Sequence, residues 1–144
     1  MTGKITFIKI STLTLFLLML YGCFGGDGGL KYRKAEFNRD PQELLEDLKK
    51  IQNFENADIK WRARQFGDST TQVLEVYLIN GQNISPNDSL RKELSRTAMK
   101  TALLSIDNDT AYDSFVVFIN SSTKEGMMQM NTSQAYEFTL NELK

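Results

Sequence analysis

The chain contains two prolines, and each stands where a helix opens. Proline has no amide hydrogen, so it fits the first helical turn, where that hydrogen has no intrahelical partner, and breaks a helix elsewhere. Asp40-Pro41-Gln42-Glu43 supplies an N-cap aspartate, a proline at the first position and a glutamate three residues after the cap. Leu44, Leu45, Leu48 and Ile51 then recur at helical spacing, and the pattern fades near Asn53. Ser85-Pro86-Asn87-Asp88 opens a second, longer helix in the same way. Its predicted buried stripe is Leu90, Leu94, Ala98, Thr101 and Leu104, broadened by Met99, Ala102, Leu103 and Ile106 and stopped at Asp107-Asn108-Asp109.

Around these helices the apolar period changes to two. Ile59, Trp61 and Ala63 alternate with Lys60, Arg62 and Arg64, which predicts a half-buried strand with Trp61 turned to the core and the cations in water. Phe66-Gly67-Asp68-Ser69 reads as a turn. Thr71 to Asn80 is apolar on both faces, as in a central strand, and Asn80-Gly81 ends it. Phe115 to Ile119 is a continuous apolar run, Ser121 to Gly126 a turn, and a last strand places Tyr136, Phe138 and Leu140 on one side. The expected class is α+β: an antiparallel sheet of four to five strands with two helices on one face, in the order α-β-β-α-β-β. A leading strand from the residues around Tyr32 to Phe37 would make that order ferredoxin-like. Leu94 and Val117 belong to the predicted core. Residues 39–144, about 105 in all, should bury a little under ~70% of their unfolded surface, enough for a core without covalent staples.

Composition narrows the chemistry. There is no histidine and one cysteine among 144 residues, so imidazole-based catalysis, Cys/His metal sites and a disulfide framework are all excluded. A net charge of −1 leaves no electrostatic footprint for nucleic acid. No phosphate-binding loop, dinucleotide fingerprint, nucleophile elbow or zinc-protease motif occurs, so no catalytic, cofactor-binding or metal-ligating residue is assigned. Asp107, Asp109 and Asp113 form an acidic cluster that lacks the glycine and the terminal glutamate of a calcium loop, and it reads as a solvated connection. Met127-Met128-Gln129-Met130 offers soft thioethers and adaptable packing; filling of a hairpin is the expected role.

The amino-terminal residues address location. Lys4 and Lys9 precede an uncharged stretch from Ile10 to Gly26, the layout of a secretory signal with a basic and then an apolar region. At 17 residues that stretch is at the short limit of the ~20 needed to span a bilayer. Leu20-Tyr21-Gly22-Cys23 resembles the lipobox of bacterial lipoproteins, with an apolar residue three places before the cysteine and a small one just before it. Tyr21 is larger than the pattern usually holds. The resemblance implies cleavage between Gly22 and Cys23, a diacylglyceryl thioether on Cys23 and further palmitate-type acylation of the new terminus. Two or more acyl chains, at ~0.8 kcal/mol per buried CH₂, hold a protein stably on a membrane.

The expected organisation is a signal peptide over residues 1–22, a lipidated cysteine with a glycine-rich tether over 23–38, and one domain over 39–144. The tether's glycine-rich part, residues 24–29, behaves as a coil of roughly 13 Å. Asp-Ser and Asp-Thr pairs at Ser69, Ser89, Thr110 and Ser114 resemble the O-glycosylation pattern of Bacteroidetes-type envelope proteins, although helix capping and strand entry explain Ser89 and Ser114 equally well. Asn-x-Ser/Thr tripeptides at Asn83, Asn87, Asn108, Asn120 and Asn131 follow from composition. The expected function is a non-catalytic binding or assembly module of the bacterial cell envelope. It would be lipid-anchored, in the outer membrane of a diderm cell, with a protein or envelope polymer as partner and no cofactor. The competing expectation is a small membrane-tethered hydrolase using carboxylates. A cleft with two convergent carboxylates would favour the second, and a flat face with exposed aromatics the first.

Overall fold

The computed structural model describes residues 32–125 and 127–144. Gly22, Cys23 and the segments read as signal and glycine tether lie outside the described residues. Helix α1 spans Pro41–Lys50, strands β1 and β2 span Asn56–Phe66 and Ser69–Ile79, and helix α2 spans Asp88–Leu103. A short 3₁₀ turn at Asp109–Ala111 leads to β3 (Ser114–Glu125), β4 (Met128–Phe138) and a four-residue helix α3 (Leu140–Leu143). α1 starts as predicted, with Asp40 as cap and Pro41 at the first position, whereas α2 starts two residues later than expected, with Pro86 before the cap rather than after it. The Asp40 carboxylate accepts from the Gln42 amide at 3.0 Å, and Asn87, one residue after Pro86, caps α2 by accepting from Ser89 N at 2.9 Å. At the other end of the chain Thr139 and Glu142 close a capping box over α3.

The strands form one four-stranded sheet in the order β1-β2-β3-β4. The class is α+β, as expected, but the sheet is mixed rather than antiparallel. β1–β2 and β3–β4 are antiparallel hairpins, whereas β2 and β3 run parallel, with Val76 beside Val117. The cause is the length of α2. Sixteen residues of helix carry the chain roughly 24 Å back along β2, so that β3 begins where β2 began. A long crossover of this kind is what a parallel pair requires. A ferredoxin-like order would need a leading strand, and among the described residues none precedes α1. Phe37 makes only an isolated antiparallel bridge with Ile106. The segment expected to turn at Ser121 continues instead as strand to Glu125, and Leu140 belongs to α3.

Both helices cover the same sheet face. Leu44 and Leu48 of α1 and Ala98, Met99 and Ala102 of α2 share one core with Leu74, Val76 and Leu78 of β2, Phe115, Val117 and Ile119 of β3, and Tyr136 and Phe138 of β4. Among the described residues no helix lies on the opposite face, and the side chains there cover it. Two backbone positions hold the strand ends in place. Gly67 takes φ +58° in the two-residue β1–β2 loop, at the position where a type II′ turn needs it. Gly81 is required for space: a Cβ there would stand 2.4 Å from Phe54 Cε1.

Candidate functional site

The uncovered sheet face is built from alternate residues of four strands, and the strand register decides which of them meet. Lys60 lies opposite Glu75, Asp58 opposite Tyr77 and Arg62 opposite Val73. Across the parallel seam Tyr77 meets Phe118 and Glu75 meets Val116. On β4, Glu137 faces Val116 and Ala135 faces Phe118. Glu75 sits at the centre, 2% exposed. A buried carboxylate is tolerated only when its lone pairs are engaged, and here they are. Oε2 accepts from Arg62 Nε at 2.9 Å and from the Tyr77 hydroxyl at 2.7 Å, while Oε1 accepts from an Arg64 guanidinium nitrogen at 3.1 Å. Of the three cations expected in water, Arg62 and Arg64 thus keep partly exposed side chains while pairing with a buried acid, and Lys60 pairs instead with Asp58.

Beside this network runs a line of stacked groups. The Lys60 ammonium stands 4.7 Å from the centre of the Tyr77 ring. That ring stacks on Phe118 at 4.7 Å with an interplanar angle of 12°. Next in line is Ala135, whose methyl leaves the remaining face of Phe118 with little cover. Burial, and then the hydrogen bond it donates to Glu75, hold the Tyr77 hydroxyl above the usual tyrosine range. It is therefore a neutral donor at physiological pH and no ready base. Glu137 accepts from the Ser114 hydroxyl at the entry to β3.

Toward the end of β2 the face continues into a hollow of about 320 Å³ lined by Ile79, Asn80, Asn120, Ser122, Asn131 and Ser133, among others. Asn80, at φ +52°, seals its floor by accepting from Ser122 N at 2.8 Å and donating to Glu55 at 2.6 Å. A second hollow, beside α1, holds two carboxylates, Glu46 and Glu55. Each is engaged, Glu46 with Lys49 and Glu55 with Asn80. Among the described residues no group of three acidic, cysteine or histidine side chains is placed to hold a metal ion. No helix there is long and apolar enough to cross a membrane.

The other residues singled out in the sequence have definite places. Trp61 is half buried, edge-on to Phe37 at 6.5 Å, and lines a groove of about 310 Å³ with Pro41, Leu45 and Ile59. The acidic connection after α2 is a clamp for the incoming chain. Asn108 Oδ1 accepts from Glu36 N at 3.0 Å and its Nδ2 donates to Lys34 O at 2.9 Å. Asp113 accepts from Gln72 N at 2.7 Å, and the Tyr112 hydroxyl donates to Arg33 O at 3.0 Å. Residues 33–38, grouped with the tether by sequence, therefore lie on the domain, with Ala35 buried in its core. They enter at the end of the sheet where β2 and β3 begin. Met127, Met128 and Met130 fill no core. They are exposed at the opposite end, on the β3–β4 hairpin where it outruns β2.

Comparison of the chain with protein-family models, with curated proteins and with solved structures returned no match. The site is defined by its own geometry: a helix-free sheet face that presents a cation, two stacked rings and a neutral amide- and hydroxyl-lined hollow.

Proposed function

We propose that this chain is a lipoprotein of the bacterial cell envelope. In this reading it is cut between Gly22 and Cys23 and acylated at Cys23, and its α+β domain is a non-catalytic binding or assembly module for another envelope component. The observation that carries the binding role is the helix-free face with Lys60, Tyr77 and Phe118 in line. Aromatic and cationic groups on a flat surface suit recognition by stacking and charge. The acidic residues near it have partners within the fold: Glu75 two arginines and a tyrosine, Glu137 the Ser114 hydroxyl, and Asp58 the Lys60 ammonium at 3.4 Å. Glu75, buried with both oxygens engaged by cations and a hydroxyl, is poorly placed to take a proton from a substrate, which weakens the tethered-hydrolase alternative at that carboxylate. Anchoring concentrates such a module beside its partner and raises weak affinities without new contacts.

The experiment is site-specific photo-cross-linking in cells from a probe at position 120, in the adjoining hollow, compared between the otherwise native chain and Phe118→Ser. One discrete adduct with an envelope component is expected, at least tenfold weaker in Phe118→Ser, with the folded circular-dichroism spectrum kept. Hydrolysis of a glycan, peptide or ester by the purified full chain, abolished by Glu137→Gln without unfolding, would reverse the proposal in favour of the enzyme.

A further inference from the structure

The two outer strands of the sheet are protected to very different degrees. An edge strand offers unpaired amides and carbonyls to any other strand, and proteins usually blunt it with charge, proline or a bulge. β1 follows that rule, carrying Asp58, Lys60, Arg62 and Arg64. Pairing it antiparallel to a copy of itself about Trp61 would set Lys60 against Arg62. β4 does not follow the rule. From Met127 to Tyr136 it holds no charged residue and no proline, and every residue from Met128 to Ala135 is exposed. Two of the side chains are large and apolar, Met128 at 75% and Met130 at 58% exposure.

We infer that β4 is a self-association edge, through which two copies of this chain pair antiparallel about a two-fold axis at Thr132. The strand's own sequence argues for a second copy as the occupant. Its reversal about Thr132 sets no charge against a charge: Met128 meets Tyr136, Gln129 meets Ala135, Met130 meets Gln134 and Asn131 meets Ser133. Asn131 meets Ser133 and Thr132 meets its own copy at the centre, favourable polar cross-strand pairs, and the outer pairs are uncharged. The first acidic residue, Glu137, falls opposite Met127 rather than opposite another charge. Identical edges joined in this way form a closed, isologous contact and a continuous eight-stranded sheet, so association stops at two. The two chain entries then lie at opposite ends of the joint sheet, and its strands run along any surface to which both chains are anchored.

Sedimentation equilibrium of the full chain in density-matched detergent tests this. The native chain should be a concentration-dependent dimer, and Thr132→Lys, which sets two ammonium groups face to face, should raise the dissociation constant at least tenfold. Register is read separately in a Cys23→Ser background. Thr132→Cys should oxidise to a disulfide-linked dimer, because directly opposed strand residues lie within disulfide reach. Gln129→Cys, roughly 20 Å from its copy in this register, should not. A native chain that stays monomeric, or pairs only with an extended segment of another protein, would overturn the inference. So would a dimer that Thr132→Lys leaves intact, or equal cross-linking at both positions.

Discussion

Ser95 lies on the buried face of α2, and its hydroxyl has no partner among the described atoms. A buried hydroxyl without a hydrogen bond costs roughly 1–3 kcal/mol, and alanine is the better helix former. Ser95→Ala should therefore raise the unfolding free energy by about 1 kcal/mol, read from the urea midpoint at unchanged slope; a loss would show that the hydroxyl is bonded. Tyr112 makes a different residue-level point. Burial first, and the nearby Glu36 charge second, push its hydroxyl up to about 12. The folded state then holds this proton more tightly than the unfolded chain, whose tyrosines ionise near ~10. Its contribution to stability is complete below pH ~10 and is lost as the pH rises toward 12, on the order of 2–3 kcal/mol. Stability measured between pH 9 and 12 should fall more steeply in the native chain than in Tyr112→Phe. Parallel curves would mean that the hydroxyl titrates as it does in the unfolded chain.

At the scale of elements, local signals were legible and rotation was not. Asp40-Pro41 and the residues around Pro86 announced both helices, and alternation announced β1, because capping and period are written in consecutive residues. In α2 the expected stripe gave Leu90 and Leu104 core positions, yet Leu104 is 82% exposed and Leu90 also faces water. The buried face is Ser95, Ala98, Met99 and Ala102, at i, i+3, i+4 and i+7. Small residues were chosen there because they let the helix approach the sheet closely, and a count of hydrophobicity undervalues them. Leu94 flanks that face and is half buried, whereas Val117 is fully buried between the helices and the sheet. Val117→Ala should cost about 2 kcal/mol and Leu94→Ala about 1, reversing the order that side-chain size alone implies. Chemical denaturation of both variants checks this, and a larger loss for Leu94→Ala would place the helix in a different rotation.

At the scale of the molecule, the candidate site was the least legible feature, for a definite reason. Lys60, Tyr77 and Phe118 come from three strands, and they align only because β2 and β3 pair in parallel. That pairing follows from the span of α2, and no short motif encodes it. The Asp107 to Asp113 connection was visible as a cluster, but its use as a clamp for residues 33–38 depends on contacts some 70 residues apart in sequence. The two ends of the sheet are consequently distinct. The chain is held at one from Arg33, ten residues after Cys23, a reach of at most about 35 Å. The exposed methionines stand at the other.

The central claim is that a lipid on Cys23 holds this domain at a membrane, and incorporation of labelled palmitate into the native chain and into Cys23→Ser tests it most directly. The account predicts label in the native chain alone, with the variant left unprocessed or released from the membrane fraction. Membrane retention of both chains without label in either would contradict it and make the apolar stretch from Ile10 to Gly26 an uncleaved anchor.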